Sequence, residues 1–177
     1  HQMIATDGTS TVELVIDTTH TSDYKISYVD PNIPEEKRWL VGDNLSYTKL
    51  VLPDKSRLLS TSLADKQLTV SQEQDSLVLG YYRLTQPLKT SQYTFSYTVP
   101  TKYVFGEQLT VNTFVQKQLG GWPYELRYSL TLPSNEYRVQ AASNVVVKQQ
   151  TVGNTFTVAY DRIINSDQTL SVIYVKK

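Results

Sequence analysis

Leu52-Pro53, followed by a strand-like run ending Leu79-Gly80-Tyr81-Tyr82-Arg83-Leu84, returns later in the chain as Leu132-Pro133 and Val158-Ala159-Tyr160-Asp161-Arg162-Ile163. The offset is 80 between Pro53 and Pro133, 79 between Tyr81 and Tyr160, and 77 between Tyr97 and Tyr174. It shrinks only by loop-sized steps, as it does in a duplicated unit. The chain is therefore limited to folds that can be built twice within 177 residues.

The repeated unit reads as β-structure. Leu50 and Leu52 alternate before Pro53, and Leu130 and Leu132 before Pro133, with the two-residue period of a strand buried on one face. The prolines end those strands, because a residue without an N–H cannot donate to a central ladder. Leu77, Leu79 and Tyr81 alternate as Phe156, Val158 and Tyr160 do, and Tyr93, Phe95 and Tyr97 as Leu170, Val172 and Tyr174 do. No stretch sustains a helical period, and only Pro34-Glu35-Glu36-Lys37-Arg38 suggests a short helical turn. The expected fold is all-β: two tandem immunoglobulin-like β-sandwich modules related by the repeat, each of six or seven strands. The first module is expected over 1–104, with an inserted loop or strand at 18–44, and a smaller second module over 105–177. Between them, Tyr103, Val104 and Phe105 are too apolar for a flexible linker and are expected to pack between the modules.

The net charge is zero, with both signs interleaved, so the chain lacks the electrostatic footprint of a nucleic-acid or anionic-membrane binder. The absence of cysteine excludes disulfides and thiolate metal sites. Cysteine-free modules rich in Thr and Tyr are common on bacterial surfaces, and an extracytoplasmic location in the cell envelope is expected. His1-Gln2-Met3 reads as a cloning remnant, so the natural protein is expected to be longer, with any membrane attachment outside this chain.

The run Leu45-Ser46-Tyr47-Thr48-Lys49-Leu50-Val51-Leu52-Pro53-Asp54-Lys55-Ser56-Arg57-Leu58-Leu59 resembles a strand-proline-strand signature of a bacterial family, the domain-of-unknown-function family numbered 4012. Tyr93 to Pro100 is similar to that family's closing strand. Val115-Gln116-Lys117-Gln118 followed by Gly120 is similar to its Gln-Lys-Gln-Pro-Gly run, with Leu119 in place of the usual proline. The resemblance covers Tyr24 to Pro133. It implies the C-terminal, extracytoplasmic part of a membrane-anchored envelope protein, and it supplies no catalytic residues.

Catalytic signatures are missing from the sequence. His20 stands alone in a Thr-Thr-His-Thr turn, which favours a solvated residue over a metal ligand or a triad member. Gly80, Gly106 and Gly120-Gly121 read as strand or turn positions, not as a phosphate loop. Asp30, Asn32, Glu35, Glu36, Asp43 and Asn44 could ligate calcium through oxygen, but without the regular EF-hand spacing. No cofactor and no resident metal are expected. Tyr81 and Tyr160 are candidates for a hydroxyl-to-backbone bond at a strand corner. Trp39 and Trp122 each precede the Leu-Pro strand of their copy, with Tyr47 and Tyr124 nearby. Large aromatics more often cap a core than stand exposed, yet these are the residues that would stack on a sugar ring.

Three readings of function follow. The first is a non-catalytic structural and interaction module whose partner is a protein or a cell-envelope polysaccharide. The second is a carbohydrate-binding module, with Trp39, Trp122 and Tyr124 as the ligand-binding residues. The third is a hydrolase domain with a carboxylate pair from Asp30, Glu35 and Glu36.

Overall fold

A computed structural model describes residues 1–21, 44–115, 124–143 and 148–177. The fold is all-β, with thirteen strands among the described residues. They are β1 (Gln2–Ile4), β2 (Ser10–Thr19), β3 (Asn44–Leu52), β4 (Arg57–Thr61), β5 (Leu68–Glu73), β6 (Ser76–Thr85), β7 (Thr90–Val99), β8 (Gln108–Val115), β9 (Tyr124–Leu132), β10 (Tyr137–Ala142), β11 (Lys148–Val152), β12 (Thr155–Ile164) and β13 (Gln168–Lys176). One 3-10 turn, Asp65–Gln67, precedes β5.

The chain forms two compact units. One is continuous, Glu13–Pro100; the other is split, combining His1–Val12 with Thr101–Lys177. Residues 1–12, expected with the first module, thus lie in the split unit, as do residues 101–104. The cause is β1. It turns back on β2 through Ala5–Thr9 and adds in parallel to β9, with Gln2 opposite Leu130 and Met3 opposite Thr131. The turn needs Gly8, whose φ is +81°, and a Cβ there would overlap the Tyr103 carbonyl that approaches it.

Within the continuous unit the strand orders are β2-β7-β4 and β3-β6-β5; within the split unit they are β8-β13-β10 and β11-β12-β9-β1. Apart from β1, the pairing order is the same in both: first with sixth and sixth with third, second with fifth and fifth with fourth. The registers agree as well. Leu52 faces Leu77 and Leu50 faces Leu79 on β3 and β6, while Leu132 faces Phe156 and Leu130 faces Val158 on β9 and β12. Even an irregularity recurs. The β4–β7 ladder shifts between Leu58 and Ser60, with Leu58 opposite Tyr97, and the β10–β13 ladder shifts between Val139 and Ala141, with Val139 opposite Tyr174. Each shift admits one extra residue and bends an edge strand.

In the continuous unit two three-stranded faces close on one core, and in the split unit a three-stranded face and a four-stranded one that includes β1 do so, in a sandwich-like arrangement. The split unit buries Ile4, Leu109, Val111, Leu130, Leu132, Tyr137, Phe156, Val158, Tyr160, Leu170, Val172 and Tyr174. In the continuous unit Leu52, Leu63, Leu79, Tyr81 and Phe95 form the core, with Leu14, Ile16, Leu50, Leu58, Tyr93 and Tyr97 packed around it and only partly covered. The alternating Leu and Tyr positions are thus the inner faces, where their apolar area drives packing.

The connection after β7 departs from the expected packing between modules. Tyr103 and Phe105 pack against the split unit's own core, Phe105 lying 6.0 Å from the Tyr137 ring. Val104, on the opposite side of that extended segment, is 78 % exposed and is not packed away.

Candidate functional site

Tyr47 on β3 and Tyr82 on β6 are direct cross-strand partners on the outer face of the continuous unit's β3-β6-β5 sheet. Their ring centroids are 4.9 Å apart at an interplanar angle of 51°, a tilted contact within the range where aromatic pairs attract. Tyr47 is 46 % and Tyr82 66 % exposed, so the pair presents its surface to solvent. The Tyr47 ring lies across Gly80, where a Cβ would stand 2.9 Å from the ring carbon Cζ and overlap the hydroxyl oxygen. A glycine in a strand interior loses packing and marks a close approach; here the approach is the ring that covers it.

The surroundings extend this platform. Leu45 and Val51 flank Tyr47 along the same face of β3, and both are exposed. Lys49, opposite Gly80, reaches Glu73 on β5 at 2.8 Å, an exposed ion pair that raises the lysine's pKa through its hydrogen bond and charge. The arrangement is an exposed aromatic and aliphatic surface with two phenolic hydroxyls, interrupted by Lys49, which stands between Tyr47 and Val51 on the same face and pairs with Glu73. It can stack a flat or slightly puckered ring and bond hydroxyl groups around it.

The split unit makes the contrast. The places corresponding to Tyr47 and Tyr82 are Arg127 and Asp161, again direct partners, and those of Leu45 and Val51 are Glu125 and Thr131. Arg127 bonds Glu125 at 2.9 Å, and Thr131 bonds Thr157 across the strands at 2.9 Å. The same face is therefore a solvated polar surface in one unit and an aromatic platform in the other.

Of the residues the sequence singled out, Trp39 and Trp122 lie outside the described residues, as do Asp30, Asn32, Glu35, Glu36 and Asp43. Tyr124 opens β9 opposite Ile164 and is 37 % exposed; partial burial, and then the charge of Asp167, raise its phenol pKa. Among the described residues no three His, Cys, Asp or Glu side chains come together as a metal site. His20 is half-buried, its backbone bonded to Lys89 and Leu88. Open polar space exists in the split unit, a depression of about 480 Å³ lined by Asn135, Glu136, Thr151, Lys176 and Lys177. The Lys177 ammonium is already committed there to the Asn135 carbonyl at 2.7 Å.

Tyr81 and Tyr160 do not make the expected backbone bonds. Both rings face inward, and their hydroxyls are buried with no hydrogen-bond partner among the described residues; Tyr174 is in the same state. Burial pushes all three phenols above their ordinary range, with the Arg83 charge opposing the rise at Tyr81. Tyr137 makes the corner bond instead, donating to the Gly106 carbonyl at 2.7 Å.

The Tyr47–Tyr82 platform had a readable signal. Alternation that turns Leu50, Leu52 and Tyr81 inward turns Leu45, Tyr47, Val51 and Tyr82 outward, so that β3 is apolar on both faces, and the repeat supplies polar residues at the matching places. Compared with known proteins, the sequence matches no family model and no curated protein.

Proposed function

We propose that the chain is a non-catalytic structural and interaction module of a cell-envelope protein, in which two immunoglobulin-like sandwiches arose by duplication and one of them holds cell-envelope polysaccharide on Tyr47 and Tyr82. The carrying observation is the exposed, glycine-seated tyrosine pair at places where the other unit has Arg127 and Asp161. Matching pairing orders and matching edge-strand irregularities support the duplication. The cysteine-free composition rich in Thr and Tyr supports the location. Pyranose rings carry apolar C–H faces that stack on phenol rings, and the Lys49–Glu73 pair beside Tyr47 supplies donors and acceptors for their hydroxyls. This reading centres the carbohydrate surface on the β3–β6 face, while Trp39 and Trp122 lie outside the described residues.

Co-sedimentation with insoluble bacterial cell-wall polysaccharide tests the reading. The wild-type chain is expected to pellet with it, Tyr47→Ala/Tyr82→Ala to stay in the supernatant, and Arg127→Ala/Asp161→Ala to behave as wild type. Equal pelleting of all three, or of none, removes it.

A further inference from the structure

The outer face of the β3-β6-β5 sheet carries its charge in one place. Of the side chains that strand alternation turns to the same side as Tyr47 and Tyr82, only Lys49 on β3 and Glu73 on β5 are charged. They are paired with each other at 2.8 Å. Lys49 stands opposite Gly80 and Glu73 opposite Ser76, so the bridge crosses β6 over Val78, which points outward yet is only 2 % exposed. The methylene stems of the pair contribute to that cover, as long charged side chains do over apolar surface.

The bridge and the tyrosine pair occur together. In the split unit the places of Lys49 and Glu73 are Ser129, opposite Ala159, and Val152, opposite Thr155. The unit without the aromatic platform therefore lacks both members of the bridge.

This arrangement constrains what can lie beside Tyr47. The ammonium there is already held by a carboxylate, and the strands of this face have no net charge to offer. A uronate or phosphate brought to Lys49 has to displace Glu73, which leaves that carboxylate next to a second anion and strips cover from Val78. Hydroxyl and amide groups meet no such conflict, because they accept from the remaining ammonium hydrogens and donate to the remaining carboxylate lone pairs.

We infer that Glu73 sets the ligand class of the platform: by holding Lys49 it restricts the surface to uncharged polysaccharide, of the hexose or N-acetylhexosamine kind, and disfavours chains bearing carboxylate or phosphate. The inference rests on the Tyr47–Tyr82 reading and narrows it from polysaccharide in general to the neutral class.

Titration of the full chain with two soluble oligomers of equal length, one of N-acetylglucosamine and one of galacturonic acid, tests it through the Tyr47 and Tyr82 amide shifts. The neutral oligomer is expected to bind about fivefold tighter than the acidic one, the scale of one exposed ion pair. Its affinity is expected to stay the same between about 0.05 M and about 0.5 M salt, because no ligand charge is there to be screened. Glu73→Gln, which frees the ammonium, is expected to raise the affinity for galacturonate about fivefold at low salt. That gain is expected to vanish at high salt and in Glu73→Gln/Lys49→Gln. Galacturonate bound as tightly as the neutral oligomer by the wild-type chain, or no gain in Glu73→Gln, overturns the inference and leaves the platform standing. Binding of neither oligomer, or binding that survives Tyr47→Ala/Tyr82→Ala, removes the platform reading and this inference with it.

Discussion

Tyr47 occupies the space that a side chain at position 80 would need: its ring lies across Gly80, and its hydroxyl overlaps the position of a Cβ there. The glycine is therefore what lets the tyrosine lie down beside Tyr82. Gly80→Ala is expected to lift the ring and abolish the Tyr47–Tyr82 contact. The obstructing atoms are the end of a mobile side chain, so the stability change is expected to stay within about 1 kcal/mol. Loss of the inter-ring nuclear Overhauser effects together with loss of polysaccharide pelleting, at nearly unchanged melting temperature, is the expected result.

The β5–β6 hairpin turns through Gln74, whose φ is 54°, and the β11–β12 hairpin turns at the corresponding place through Gly153, with φ 56°. Only glycine adopts that region without steric cost. Gln74→Gly is expected to stabilise the continuous unit by up to about 1 kcal/mol, and Gly153→Gln to destabilise the split unit by a similar amount. Urea titrations of the two variants check both signs.

Tyr160 and Tyr174 bury hydroxyls without partners, whereas Tyr137 bonds the Gly106 carbonyl. Removing an unpartnered buried hydroxyl removes a desolvation cost, and removing a bonded one orphans its acceptor. Tyr160→Phe and Tyr174→Phe are expected to be neutral or stabilising by up to about 1 kcal/mol, and Tyr137→Phe to cost about 1–2 kcal/mol. Chemical denaturation distinguishes the two classes.

The same phenols set the alkaline limit of the fold. Burial raises the folded-state pKa of Tyr81, Tyr97, Tyr160 and Tyr174 above the ordinary 10.0. Above that value the unfolded chain releases protons that the folded chain still holds, so stability falls with rising pH. Their contribution is complete below pH 10.0 and is lost as the pH climbs from there through the raised values. Base denaturation followed by phenolate absorbance is expected to show ionisation of these tyrosines together with unfolding. A Tyr160→Phe/Tyr174→Phe variant is expected to have a shallower decline.

The inner faces were legible because strand alternation is local. Leu130 and Leu132, or Phe156, Val158 and Tyr160, announce their side of the sheet within a few residues. β1 was not legible. It has three residues, and its place beside β9 depends on distant partners: Gln2 accepts from Tyr128 at 2.5 Å and donates to Tyr103 at 3.2 Å, while Ile4 fills a core built by residues more than a hundred positions away. No local pattern encodes those contacts, and the assignment of residues 1–12 to the C-terminal strands followed from them. The tyrosine platform lay between these cases. Alternation turns Tyr82 outward, but the ring's seat on Gly80 is a cross-strand relation that appears only once β3 and β6 are in register.

Backbone amide chemical-shift mapping during titration with solubilised cell-wall glycan fragments tests the central claim most directly. Shifts concentrated at Leu45, Tyr47, Val51, Gly80 and Tyr82, with Glu125, Arg127, Thr131 and Asp161 unmoved, are the expected result. Shifts spread equally over the corresponding faces of the two units, or no shifts at millimolar glycan, would contradict it.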